Sequence, residues 1–185
     1  ASGSAIGPEQ VAQVSPELER VELTGTSIVL GEIRAAKLRS LRVLGSSEDS
    51  AVLEPIVSGN APSLRELHVR FAGARATGLE ALLMDEQELD SLSLCNFVYS
   101  GLGDLLVSST MIHNLRSLEL DWQTDQSDSL VDHDINLLLR HRKKFQRLER
   151  LRITADFSSD LIKPLEALAP DSIATIWERY EANGE

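Results

Sequence analysis

One cysteine, Cys95, stands in 185 residues, which excludes an internal disulfide and any zinc site built from several thiolates, and suits a reducing compartment. Positive charge is also short. The 18 Lys and Arg face 29 Asp and Glu, a formal net charge of -11, so the summed field repels nucleic-acid phosphates and anionic lipid headgroups. Long apolar runs are missing: the uncharged stretch from Leu23 to Gly31 is far short of the roughly 20 residues that cross a bilayer. No basic, apolar-cored signal peptide opens the chain, and the expectation is an intracellular protein, cytoplasmic or nuclear, without a membrane partner. A phosphate-cradling glycine loop is absent too, since Gly101-Leu102-Gly103 lacks the third glycine and the preceding context. The 42% hydrophobic and 25% charged composition is that of one folded domain with a sizeable core. The opening Ala1-Ser2-Gly3-Ser4 reads as a cloning scar or linker on a fragment of a larger protein.

The strongest positive feature is a repeat. A six-residue frame, apolar-x-x-apolar-x-apolar, recurs at Leu18/Val21/Leu23, Leu38/Leu41/Val43, Leu64/Leu67/Val69, Leu89/Leu92/Leu94, Leu115/Leu118/Leu120 and Leu148/Leu151/Ile153, with first positions 20, 26, 25, 26 and 33 residues apart. The last four positions of each frame alternate apolar and polar, the pattern of a strand with one buried face, three to five residues long. Helical patterns with start signals lie between or after the frames. Ser50 precedes Ala51 to Val57, Thr77 precedes Leu79 to Leu83, and Ser100 precedes Leu102 to Leu106. Ser127 or Asp128 caps Leu130 to Lys144, Ser159 caps Leu161 to Leu168 with Pro164 near the first turn, and Asp171 caps Ile173 to Tyr180.

Strand, loop and helix repeated about every 25 residues imply a parallel sheet, each strand returning through a crossover. The frames resemble the leucine-rich-repeat family, in its irregular, helix-rich intracellular type, over about Leu18 to Leu168. That resemblance implies an α/β solenoid, a curved horseshoe of about six repeats over residues 17–170 with a short parallel sheet on its concave face. Residues 1–16 become a tag or lead-in, and residues 171–185 a capping helix with Ile176 and Trp177 on one side. The family's usual Asn or Cys, three residues beyond the frame, is replaced by Thr26, Ser46, Ala72, Phe97, Gln123 and Asp156, which points to divergent repeats such as those of F-box proteins.

On this fold the residues between and just after the frame's apolar positions line the concave face. One lane is Glu22, Arg42, His68, Ser93, Glu119 and Arg152; the other is Thr24, Leu44, Arg70, Cys95, Asp121 and Thr154. Such mixed signs suit recognition of a protein by complementarity rather than a catalytic pocket. Protein-binding candidates are therefore Arg42, Leu44, His68, Arg70, Cys95, Glu119, Asp121, Trp122 and Arg152. Phe71, Phe97, Trp122 and Phe157 all follow a frame closely, where core packing under the loop competes with an interface role; Trp122, between Asp121 and Gln123, is the best candidate anchor.

A basic cluster, Arg140, Arg142, Lys143, Lys144 and Arg147, continues to Arg150 and Arg152. It suits an acidic or phosphorylated partner, or else a solvated helix end facing the macrodipole. Asp132-His133-Asp134 with His141 fails as a metal site, because the two histidines are over two helical turns apart. His68 and His113 have no ligand neighbour in sequence. No catalytic residue, metal or cofactor is expected. The function expected is a non-catalytic protein interaction domain, in its narrowest form the substrate-recognition repeats of an F-box ubiquitin ligase subunit, though no F-box is legible in these residues. The rivals are a scaffold or sensor domain of another intracellular complex, a repeat protein acting on a GTPase, and RNA binding through the basic cluster.

Overall fold

The computed structural model describes residues 17–25, 37–45, 61–70, 79–84, 88–97, 101–122, 128–155 and 157–168. Each frame contributes a strand: β1 (Arg20–Gly25), β2 (Ser40–Gly45), β3 (Glu66–Arg70), β4 (Ser91–Phe97), β5 (Ser117–Trp122) and β6 (Arg150–Thr154). β3 and β6, at five residues, match the upper end of the expected three to five, and the other four strands run to six or seven. The strands form one parallel sheet in chain order, β1 through β6. The fold is α/β.

Register follows the frames. Leu41, Leu67, Leu92, Leu118 and Leu151 are paired strand to strand, and so are Val43, Val69, Leu94, Leu120 and Ile153. All ten are at most 2% exposed and lie in one apolar cluster. The frame's first position packs beneath them at Leu38, Leu64, Leu89, Leu115 and Leu148, whereas Leu18, beside the edge strand β1, is 38% exposed. Burying each such leucine contributes about 1.5–3 kcal/mol.

A second periodicity, invisible in side-chain pattern, joins the units just before each strand. The carbonyls of Glu19, Arg39, Arg65, Asp90 and Arg116 each accept two amides from the next unit, those of residues 39 and 40, 65 and 66, 90 and 91, 116 and 117, and 149 and 150. Both lone pairs of one oxygen are used, so the turn entering every strand is locked to its neighbour before the sheet begins.

The described crossovers are helical. α1 (Leu79–Met84) joins β3 to β4, and α2 (Leu102–Ser108) with a 3-10 turn at Met111–Asn114 joins β4 to β5. α3 (Asp128–Arg140) with a 3-10 turn at Arg142–Phe145 joins β5 to β6, and α4 (Ile162–Glu166) follows β6. Leu83, Leu102, Leu106, Val131, Ile135, Leu138 and Leu165 share the cluster with the strand residues, so these helices cover the apolar face of the sheet. The buried Ser109 hydroxyl donates to the Leu83 carbonyl at the end of α1 and accepts the Met111 amide, tying α1 to the following crossover.

Several helix boundaries differ from expectation. Gly101, at φ 91, caps α2 without a side-chain bond, because the chain arrives in a left-handed turn that glycine adopts at little cost. α3 stops at Arg140 and tightens into 3-10 geometry, so Lys143 and Lys144 lie beyond the α-helix. Ser159 sits inside a 3-10 turn (Ser159–Leu161) rather than capping a helix, and α4 begins at Ile162, with Pro164 in its first turn as anticipated. The helix expected after Ser50, the Thr77, Ser100 and Ser127 caps, the segment 1–16 and the helix expected over 173–180 lie outside the described residues.

Candidate functional site on the open sheet face

Because alternate residues of a strand point to opposite faces, the side of the sheet away from the helices carries three in-register rows. The middle row is Glu22, Arg42, His68, Ser93, Glu119 and Arg152; beside it run Thr24, Leu44, Arg70, Cys95, Asp121 and Thr154. The third row, not singled out from sequence, is Arg20, Ser40, Glu66, Ser91, Ser117 and Arg150. Both rows expected from sequence are therefore real alignments of residues far apart in the chain.

Charges on this face are paired across strands. Arg42 lies 3.9 Å from Glu22, Arg20 reaches over β2 to lie 3.9 Å from Glu66, and Arg152 is 3.1 Å from Glu119. Ser93 Oγ donates to Glu119 Oε2 at 2.7 Å and lies 3.4 Å from Cys95 Sγ. Arg20, Glu22, Arg42, Glu66, His68, Ser93 and Glu119 border a hollow of about 330 Å³ between β1 and β5. Exposure is graded: Arg42, Arg70 and Arg152 are exposed, Leu44, His68, Glu119 and Asp121 half-buried, and Ser93 and Cys95 buried.

That gradient tunes the ionisable groups. Burial, assisted by the Arg42 charge, lowers His68 below its usual range. Burial raises the Cys95 thiol, with Glu119 and Asp121 adding to it and the Ser93 hydrogen bond opposing. Burial likewise raises Asp121, against the pull of Arg70 and the amide of Asn96, which bulges from β4 at φ 54. Both directions favour the imidazole and thiol forms over the imidazolium and thiolate.

One sequence-based candidate is misplaced. Trp122 is 3% exposed and belongs to the core, because the alternation Leu118, Leu120, Trp122 carries it inward at the end of β5. The period-2 pattern held this answer, and its polar sequence neighbours concealed it. Phe157 is partly buried against the core, while Phe71 and the Phe97 side chain lie outside the described residues.

The tertiary structure also makes a cluster that linear spacing hides. His68, seemingly isolated in sequence, comes together with Cys95 and Glu119 from β3, β4 and β5, their ligand atoms all within 4.8 Å of one another. The clue was the lane itself, which places residues about 25 apart side by side.

The basic cluster separates. Arg150 and Arg152 stand on the open face, whereas Arg140 to Arg147 occupy the crossover behind it. Lys144 Nζ donates to the Val107 carbonyl, so the helix end it serves is that of α2 rather than its own. Arg147 donates to Asn114 Oδ1 at 3.2 Å, and Arg140, Arg142 and Lys143 are exposed. The Asp132-His133-Asp134 motif is structural. Two residues apart on α3, its carboxylates point in different directions: Asp134 accepts the Leu102 and Gly103 amides at the start of α2, and Asp132 Oδ1 accepts the Ser158 amide at 2.9 Å.

Among the described residues no helix is long and apolar enough to cross a membrane. Compared with family models, with curated proteins and with solved structures, the chain matches none.

Proposed function

We propose that this chain is a non-catalytic protein–protein interaction domain of the leucine-rich-repeat type, a solenoid whose open sheet face receives another intracellular protein. The observation that carries the reading is the open face itself: three in-register rows of mixed charge on a six-stranded sheet, left uncovered by the described helices. A sheet backed by a continuous core holds its side chains in fixed positions, which lowers the ordering cost of binding. Alternating Arg and Glu select a partner by register of charge, since a like-charged juxtaposition costs several kcal/mol. The sixfold recurrence of the frame, at intervals of 20 to 33 residues, and the chain-order sheet support the solenoid assignment. The upward shift of the Cys95 thiol and the downward shift of His68, opposite to those of an activated cysteine–histidine pair, support a non-catalytic role. In its narrowest form the proposal is substrate capture for an F-box-type ubiquitin ligase; a scaffold or sensor repeat would use the same face.

The test is affinity capture from source-cell lysate with three folded proteins: the parent, Arg42→Ala/Arg70→Ala/Arg152→Ala on the face, and Arg140→Ala/Arg142→Ala/Lys143→Ala on the crossover. A protein retained by the parent and the crossover variant but lost from the face variant is the expected result. Loss only from the crossover variant would move the site to the helical side and overturn the reading.

A further inference from the structure

We propose that His68, Cys95 and Glu119 form a binding site for one divalent metal ion of the zinc class, with the remaining coordination position open to the free side of the sheet. This goes beyond protein docking and holds whether or not a partner uses the face. The three side chains supply one imidazole nitrogen, one sulfur and one carboxylate oxygen, all mutually within 4.8 Å. Ligands of a tetrahedral zinc ion stand about 3.5 Å apart, so rotamer shifts of about 1 Å close the set.

The donor set is selective. Thiolate and imidazole favour zinc-class ions, whereas magnesium and calcium require several oxygens, of which this cluster offers a single carboxylate. The support is built in. His68, Cys95 and Glu119 stand on adjacent hydrogen-bonded strands, and Ser93, between His68 and Glu119 in the row, holds Glu119 Oε2 at 2.7 Å. Arg152 contacts the other oxygen, Oε1, at 3.1 Å, and each carboxylate oxygen retains a further lone pair for a metal. A neutral imidazole is the ligating form of histidine; the incoming ion displaces the Cys95 thiol proton to solvent, forming a metal–sulfur bond. The Arg42 and Arg70 guanidinium groups near His68 oppose a loosely held cation, and Arg70 favours the Cys95 thiolate against the burial that holds it as a thiol in the metal-free chain.

The experiment is calorimetric titration of the metal-free chain with Zn²⁺, alongside a Co²⁺ titration followed by thiolate-to-cobalt charge-transfer absorption. One ion per chain is expected, with affinity at least about tenfold weaker in His68→Gln and in Cys95→Ser. Since Cys95 is buried and a substitution there can disturb folding, the parent supplies an independent readout: as the chain's one cysteine, its alkylation should slow at least about tenfold in saturating Zn²⁺. Absence of saturable binding, an affinity unchanged in folded His68→Gln, or an alkylation rate unaffected by Zn²⁺ would overturn the site.

Discussion

Gly103 meets α3 so closely that a methyl group has no room: a Cβ built there falls 2.8 Å from both the Cα and the carbonyl oxygen of Asp134. Those atoms are backbone and cannot swing aside, so Gly103→Ala is expected to cost about 1–3 kcal/mol, measured by denaturant unfolding; an unchanged midpoint would show that α2 and α3 are not held in this contact. Asp134 is 2% exposed, and its Oδ1 has no hydrogen-bond partner among the described residues. Burial raises its carboxyl above the ordinary 3.8, outweighing the Gly103 amide, His133 and the Leu102 amide, with Asp104 adding to the rise. The folded state therefore holds this proton more tightly than the unfolded state, and its contribution to stability declines as pH rises from about 3.8 through the folded-state value. Asp134→Asn removes that slope. Stability curves taken across this window should show the variant gaining on the parent as pH rises, and a loss instead would mean that the helix-capping charge outweighs its burial.

At the scale of elements, energy is concentrated on one face of each strand. Leu120 is wholly buried in β5, and Leu120→Ala is expected to cost about 2–5 kcal/mol, whereas Arg42→Ala, which removes an exposed ion pair on β2, should cost less than about 1 kcal/mol. Comparable costs at the two positions would contradict the division between a buried, stabilising face and an open one. The paired amides before β2 to β6, bonded to the preceding unit, should exchange slowly with the strands they begin, and most slowly around the central β3 to β5. Amide exchange read by nuclear magnetic resonance tests this, and faster exchange in β4 than in β1 would sink it. The six strands were legible because the same apolar frame, recurring six times, has one arrangement that aligns every copy. The helix ends were less legible. Gly101 caps α2 through backbone conformation alone, and Lys144 serves a carbonyl 37 residues away.

Over the whole molecule, 29 acidic residues against 18 basic ones set a field that repels polyanions, even though Arg140, Arg142 and Lys143 are exposed on the helical side. A random single-stranded RNA is therefore expected not to bind measurably at about 0.15 M salt. Saturable binding in fluorescence anisotropy, removed by Arg140→Ala/Arg142→Ala/Lys143→Ala, would show that local charge prevails over net charge. The division of Arg140 to Arg152 between two surfaces is a property of the assembled molecule, since a strand and the crossover before it face different sides of the sheet.

The amino-acid sequence by itself determined the six strands, their alternation between core and open face, and the alignment of the rows that cross them, because a one-residue slip of any period-2 frame would turn its apolar residues to the open face. Only the tertiary structure decided which residues meet. His68, Cys95 and Glu119 converge because parallel pairing sets adjacent strands about 4.8 Å apart, a distance unrelated to sequence separations of 27 and 24 positions. Asp132 and Asp134 find different helix beginnings because α3 packs between them, and Trp122 enters the core because the strand continues two residues past the frame. In each case the partner comes from another unit of the sheet, and no local pattern encodes a neighbour that distant.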